Sequence, residues 1–366
     1  MELSVDVLEV IYSQLDSDID RLNFRKMCRA TIRFTQIVSN PHTLKTMQKY
    51  SKCIFTHLKA TCKQDLMHVH VTGLTCNYLQ LIKLPDMPQL ITLDCNNNQL
   101  TQLPDMSLLT RLNCSGNQLR QLPNMPLLTI LNCSYNKLTQ LPYMPQLATL
   151  DCNNNRLTQL PDMPQLVTLN CSRNQLIQLP YVPQLVSLNC SINLITQLPN
   201  MQQLVTLKCN NNQLTRLPDM PLLTILECGV NQHIQLNDMP LLTILQCYNN
   251  RLTQLPNMPL LTKLNCGHNK LTQLPYMPQL TELNCDINRL TQLPYMPQLT
   301  ELYCACNRLI QLPDMPLLKK LYCDSNRLTQ LLDMPLLTNL HCTDNQLIRL
   351  PNTPRIRILK CDDYLR

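Results

Sequence analysis

The sequence predicts a repeat solenoid, with short parallel strands stacked along one side and extended, proline-rich chain along the other, preceded by a small all-α domain. Three observations carry this. Sixteen of the 20 cysteines, from Cys76 to Cys361, recur at intervals of 19 residues without an insertion. Each interval repeats the same order of leucines, asparagine and prolines, as expected of stacked structural units rather than of a disulfide framework. The first fifty residues lack that period and instead place apolar residues at helical spacing.

One unit reads Leu90-Ile-Thr-Leu93-Asp-Cys95-Asn-Asn-Asn98-Gln-Leu100-Thr-Gln-Leu103-Pro104-Asp-Met106-Ser-Leu108. Its first eleven positions fit LxxLxLxxNxL, the leucine-rich-repeat signature, with Cys in place of the third leucine. A 19-residue period leaves little chain for the side opposite the strand. Prolines such as Pro142 and Pro145 exclude a helix there, so the LPxMP stretch is expected to run extended, near polyproline II. Leu93, Cys95 and Leu100 are expected to face inward onto their counterparts in adjacent units. Asn98 and its equivalents through Asn345 should satisfy main-chain groups at the exit of each strand. The first and last units replace this Asn with Leu79 and Tyr364, as suits terminal units. The reading divides the chain into a helical domain over 1–50, a linker and N-terminal cap over 51–70, and a solenoid of about 16 units over 71–366.

Composition narrows function. The chain of 366 residues holds 4 Gly and no Trp, so a glycine-rich phosphate loop has little material. A net charge of +7 is spread thinly, without the dense basic patch of a nucleic-acid binder. No apolar run reaches the ~20 residues of a membrane span. Acids interrupt every apolar stretch of MELSVDVLEVIYSQLDSDID, which argues against a signal peptide. Regularly spaced thiols in neighbouring parallel strands are poor disulfide partners, and free thiols point to a reducing compartment, cytoplasm or nucleus.

A file of thiols invites a metal-storage reading, but zinc needs four ligands converging tetrahedrally rather than stacked in line. The ladder cysteines are therefore expected to pack as small hydrophobes. Cys53, His57, Cys62, His68 and His70 are zinc-ligand types without a standard spacing, and MHVHV reads better as an alternating capping strand. The expectation is no metal, no cofactor and no catalytic residues, and no catalytic domain after the last unit.

At the N-terminus, Leu3, Val7, Leu8, Ile11 and Leu15 form one apolar helical face, continued by Leu22, Phe24, Met27, Cys28 and Ile32. The order LSVDVLEVIYSQLD followed by DRLNFRKMCR resembles the F-box, a helical module with the pattern LPxExLxxIFxxLD and then DxxxxRxVCR. Ser4 stands at the usual proline and Thr31 where tryptophan is common. With the repeats, the chain is similar to F-box/leucine-rich-repeat proteins, and its LPxMP units look most like those of giant amoeba-infecting DNA viruses. Short LPxLP repeats also occur in bacterial effectors that carry a separate ligase domain. The resemblance implies an adaptor that docks a Skp-type subunit of a cullin ubiquitin ligase through Leu3, Val7, Leu8, Ile11, Leu15 and Met27, while the repeats hold a protein substrate in the cytoplasm, that of the host if the chain is viral. The alternative is a binding scaffold whose helices only cap the solenoid. For the partner surface, late units present Glu282, Arg289, Glu301, Tyr303, Arg308, Lys320, Tyr322, Arg327 and His341, residue types suited to binding hot spots.

Overall fold

The computed structural model describes residues 58–59, 71–231 and 234–365. The helical domain expected over 1–50, with its docking residues, and the Cys53–His70 group therefore lie outside the described residues. The chain divides into two compact units, the first ending at Leu166 and including Arg173–Gln175, the second comprising Val167–Ser172 and Leu176–Arg366.

Each unit is a stack of parallel strands. Among the described residues the first contains six, from Leu58–Lys59 to Thr149–Asp151, and the second eleven, from Thr168–Asn170 to Ile358–Lys360. Every strand pairs with its sequence neighbours inside its unit, in a register that places equivalent residues side by side: Leu264 beside Leu283, Leu283 beside Leu302. Three-residue strands such as Glu282–Asn284 follow from the 19-residue period, because the rest of each rung must travel around the core and return.

The core is a set of columns, one residue deep per rung. In one rung of the second unit Leu188, Cys190, Ile195, Met201 and Leu204 are all fully buried, with Leu198 nearly so. The central strand residue and the cysteine two positions on point inward together, as the alternation of a strand requires, with the residue between them turned outward. The ladder cysteines are free thiols. Burial pushes the Cys190 thiol up to about 12, so it packs as a small hydrophobe and stays protonated.

The asparagine column ties rung to rung. Asn212 Nδ2 donates to the carbonyl oxygens of Cys190 and Cys209 at 3.0 and 3.2 Å. Its Oδ1 accepts from the Ile195 N–H at 3.0 Å. Asn98, Asn193 and Asn288 repeat the pattern with the same offsets. One side chain thus satisfies a buried donor and two buried acceptors that the turn leaves open.

The proline segment departs from the expected uninterrupted extension. The N–H of Leu204 bonds the Met201 carbonyl at 3.2 Å, and Leu242, Leu261 and Leu280 do the same with Met239, Met258 and Met277. Each described rung therefore makes a tight turn after the methionine, or after Val182 and Thr353 in the two rungs that lack one there, and in most rungs proline follows at the corner. Its fixed φ suits that position, and the turn brings the chain back toward the next strand.

A second turn lies just before each ladder Asn, where the backbone is left-handed. Asn97, Tyr135, Arg173, Ile192, Val230 and Ile287 all have φ between 53° and 58°. For β-branched Ile192, Val230 and Ile287 this is strained.

Candidate protein-binding surface

The outward strand positions of the second unit change character along the chain. The third position runs Asn170, Asn189, Lys208, Glu227, Gln246, Asn265, Asn284, Tyr303, Tyr322, His341. In-register pairing sets Tyr303 beside Tyr322 and Tyr322 beside His341. Strand spacing of about 4.8 Å is also a ring-stacking distance. The Tyr303 and Tyr322 rings accordingly stack at 4.7 Å and 6°, and His341 tilts against Tyr322 at 4.6 Å and 52°.

The first strand position carries a charge sequence, Lys263, Glu282, Glu301, Lys320. Glu282 and Glu301 are direct cross-strand neighbours, an arrangement that costs energy between like charges. Each is drawn to the lysine on its other side: Lys263 Nζ lies 2.7 Å from Glu282 and Lys320 Nζ 2.9 Å from Glu301. The hydrogen bond to Glu301 raises the Lys320 pKa, and burial followed by the Glu301 charge raises that of Tyr303. A shallow cavity of about 230 Å³ opens beside the aromatic stack, lined by Ile244, Gln246, Lys263, Asn265, Glu282, Asn284, Glu301 and Tyr303.

In rungs of both units that carry Asn or Asp at the third position, that side chain is turned onto its own turn. Asn132 Oδ1 accepts from both the N–H and the hydroxyl of Ser134, and Asp151 accepts from the N–H and amide of Asn153. Such side chains complete their own turn and offer little to a partner.

The nine residues singled out in sequence occupy two distinct surfaces. Glu282, Glu301 and Lys320, with Tyr303, Tyr322 and His341, lie on the strand face. Arg289, Arg308 and Arg327 follow the ladder asparagines, beyond the left-handed turn, and are exposed there. Lys263 belongs to the strand-face group and escapes a reading that starts at Glu282. The charge alternation one rung earlier is the signal that finds it. Among the described residues, no three His, Cys, Asp or Glu side chains are grouped to hold a metal ion, and no helix is long and apolar enough to cross a membrane.

Compared with solved structures, the chain is similar to YopM from Yersinia enterocolitica WA-314, with 30% identity and a TM-score of 0.72 over 84% of this chain and 76% of that one. The chain belongs to the YopM-like leucine-rich-repeat proteins. A second YopM structure, described as a leucine-rich effector protein from Yersinia pestis, matches this leucine-rich-repeat protein over 94% of its length and 99% of the other, at 28% identity and a TM-score of 0.73. A leucine-rich-repeat protein from Leptospira interrogans shares the fold at 23% identity and a TM-score of 0.64, over 91% of this chain and 97% of that one. No protein-family model matches the sequence, and no curated protein does. The leucine-rich-repeat solenoid with its strand-face columns is consistent with a protein-binding scaffold.

Proposed function

We propose that the chain is a non-catalytic adaptor: its late strand face holds a protein partner, and its first fifty residues dock a Skp-type subunit of a cullin ubiquitin ligase. The observation that carries the binding half is the Tyr303–Tyr322–His341 stack flanked by the Lys263–Glu282 and Glu301–Lys320 pairs. A flat aromatic surface with charges fixed at its rim offers both apolar area and orientation to a partner. The ligase half rests on the F-box-like order of the N-terminal residues, and the giant-virus resemblance of the repeats is what supports a host cytoplasm or nucleus as its location. Burial of thiols that remain free supports a reducing compartment.

The test separates the two halves. Substrate candidates captured from the natural cell with the full chain should be lost with Tyr303→Ala plus Tyr322→Ala, each hot-spot residue contributing about 2 kcal/mol. A Skp-type subunit should be lost with Leu8→Asp plus Ile11→Asp, while the repeats keep their melting transition. Retention of the Skp-type subunit by the second variant refutes the adaptor role. Unfolding of the repeats by that variant makes the helices a cap. Undiminished capture by the tyrosine variant moves the partner off the strand face.

A further inference from the structure

The column of cations beyond the left-handed turns is a surface separate from the strand face, and what it fits does not depend on the adaptor reading. Lys270, Arg289, Arg308 and Arg327 occupy equivalent exposed positions of four consecutive rungs. Their backbones are fixed: each N–H donates to a leucine carbonyl of the preceding rung, Arg289 to Leu271 at 2.9 Å and Arg308 to Leu290 at 2.9 Å. The ladder asparagine before and the buried leucine after each of them leave only the side chain free to move. None of the four forms an ion pair with another described residue. Residues 268–275, 287–294, 306–313 and 325–332 contain no Asp or Glu at all. The carboxylates nearest in sequence point elsewhere, Asp286 onto the Ala305 N–H at 2.6 Å and Asp324 onto the Thr343 N–H at 2.8 Å.

Four uncompensated cations on a rigid column call for an anionic partner, and the spacing selects its form. Three rung steps cover about 14 Å at ~4.8 Å each. In an α-helix, residues i, i+3, i+7 and i+10 lie on one face and span about 15 Å at 1.5 Å per residue. Same-face residues of a β-strand need about 20 Å for the same three steps. A helix therefore keeps four carboxylates in step with the four cations, whereas a strand drifts out of register by more than a full rung. A single-stranded nucleic acid would lack stacking platforms here, because residues 270–274, 289–293, 308–312 and 327–331 include no aromatic side chain. We propose that this edge docks an α-helix of a protein partner that carries a stripe of Asp or Glu at i, i+3, i+7 and i+10, running along the column with one carboxylate per rung.

The probe is a fluorescent Ala-based peptide of about 20 residues with Glu in that stripe, long enough to be helical. It is compared with an isomer of identical composition whose Glu residues are distributed around the helix, and with a thymidine oligonucleotide of about 20 nucleotides. Full-length protein should bind the striped peptide at least tenfold more tightly than the isomer or the oligonucleotide, with affinity falling as salt rises. The quadruple variant Lys270→Gln, Arg289→Gln, Arg308→Gln, Arg327→Gln should melt as the wild type does and lose at least tenfold in affinity. Equal binding of the two peptides, tighter binding of the oligonucleotide, no binding of any probe, or full binding by the variant each overturns the proposal. The comparison of isomers uses wild-type protein, so it decides the matter even if the variant folds poorly.

Discussion

Replacing Asn212 with Ala should be among the most damaging single changes available in the second unit. The residue is 6% exposed and its side chain makes four hydrogen bonds to main chain, three donated to the Cys190, Cys209 and Asn210 carbonyls and one accepted from Ile195. Truncation leaves a buried N–H without an acceptor and two buried carbonyls without this donor. An orphaned buried group costs about 1–3 kcal/mol, and the loss here should reach about 3–5 kcal/mol, since carbonyls tolerate the loss of a donor better than an N–H tolerates the loss of an acceptor. Asn212→Asp sharpens the test. The carboxylate can still accept from Ile195, but it presents an oxygen to these carbonyls, so only its protonated form fits. Its pKa in the folded variant must then lie above the ordinary carboxylate value of about 3.9, and the variant should gain stability relative to wild type as pH falls from 7 toward 4. Urea denaturation followed by circular dichroism across that range measures both effects, with exposed Gln213→Ala as a control expected to stay within about 0.5 kcal/mol. A loss below about 1 kcal/mol for Asn212→Ala, or no pH response in the carboxylate variant relative to wild type, would refute the ladder argument.

Two further outcomes follow from the backbone and the thiols. Ile192→Asn should stabilise by about 1 kcal/mol, because Ile192 is held at φ 58° with its side chain 40% exposed, while Asn tolerates the left-handed region; a lower urea midpoint would show that the isoleucine contributes more through contacts than it costs through strain. The protein should also unfold readily in base. Burial raises the Cys114, Cys190 and Cys228 thiols to about 12, so between the ordinary thiol value and 12 the native chain holds protons that the unfolded chain releases. Each such thiol removes up to about 1.4 kcal/mol of stability per pH unit in that window; a urea midpoint flat between about pH 8 and 10.5 would mean that the thiols are not closed off from water.

The columns of the core were legible because a strict period makes every inward position visible many times over. Leu93, Cys95 and Leu100, read as inward, are 3%, 0% and 0% exposed. The role of the asparagine was legible for the same reason, since a buried turn needs a side chain able both to donate and to accept. The turn after Met258 was not, because a proline-rich segment is equally compatible with continuous extension and with a corner at its second proline, Pro259. The left-handed position left no trace either. Glycine marks it only at Gly116, and elsewhere Asn, Tyr, Arg, Ile, Val and His all occupy it. On the strand face, Tyr303, Tyr322 and His341 stand out as a file in the sequence. That the equivalent Asn132 and Asp151 spend their acceptors on their own turns depends on rotamers, which no repeat pattern records.

The bonding offsets of the asparagine column set a rule for how such a chain can change length. Asn193 reaches back 22 residues to Cys171 and 3 to Cys190, and accepts from Leu176, 17 residues earlier. The 22- and 17-residue reaches close only when the neighbouring rung is a whole period away. Excising one complete period from the interior of a unit re-forms an equivalent junction with every bond restored. Removing one or two residues instead shifts the next strand out of register and strands the amide of the following rung. Gain or loss of whole periods is therefore nearly neutral for folding, whereas a shorter insertion or deletion is not. Each whole-period change also moves the rungs beyond it by one strand spacing, so the reach between binding columns can be reset in steps of about 4.8 Å.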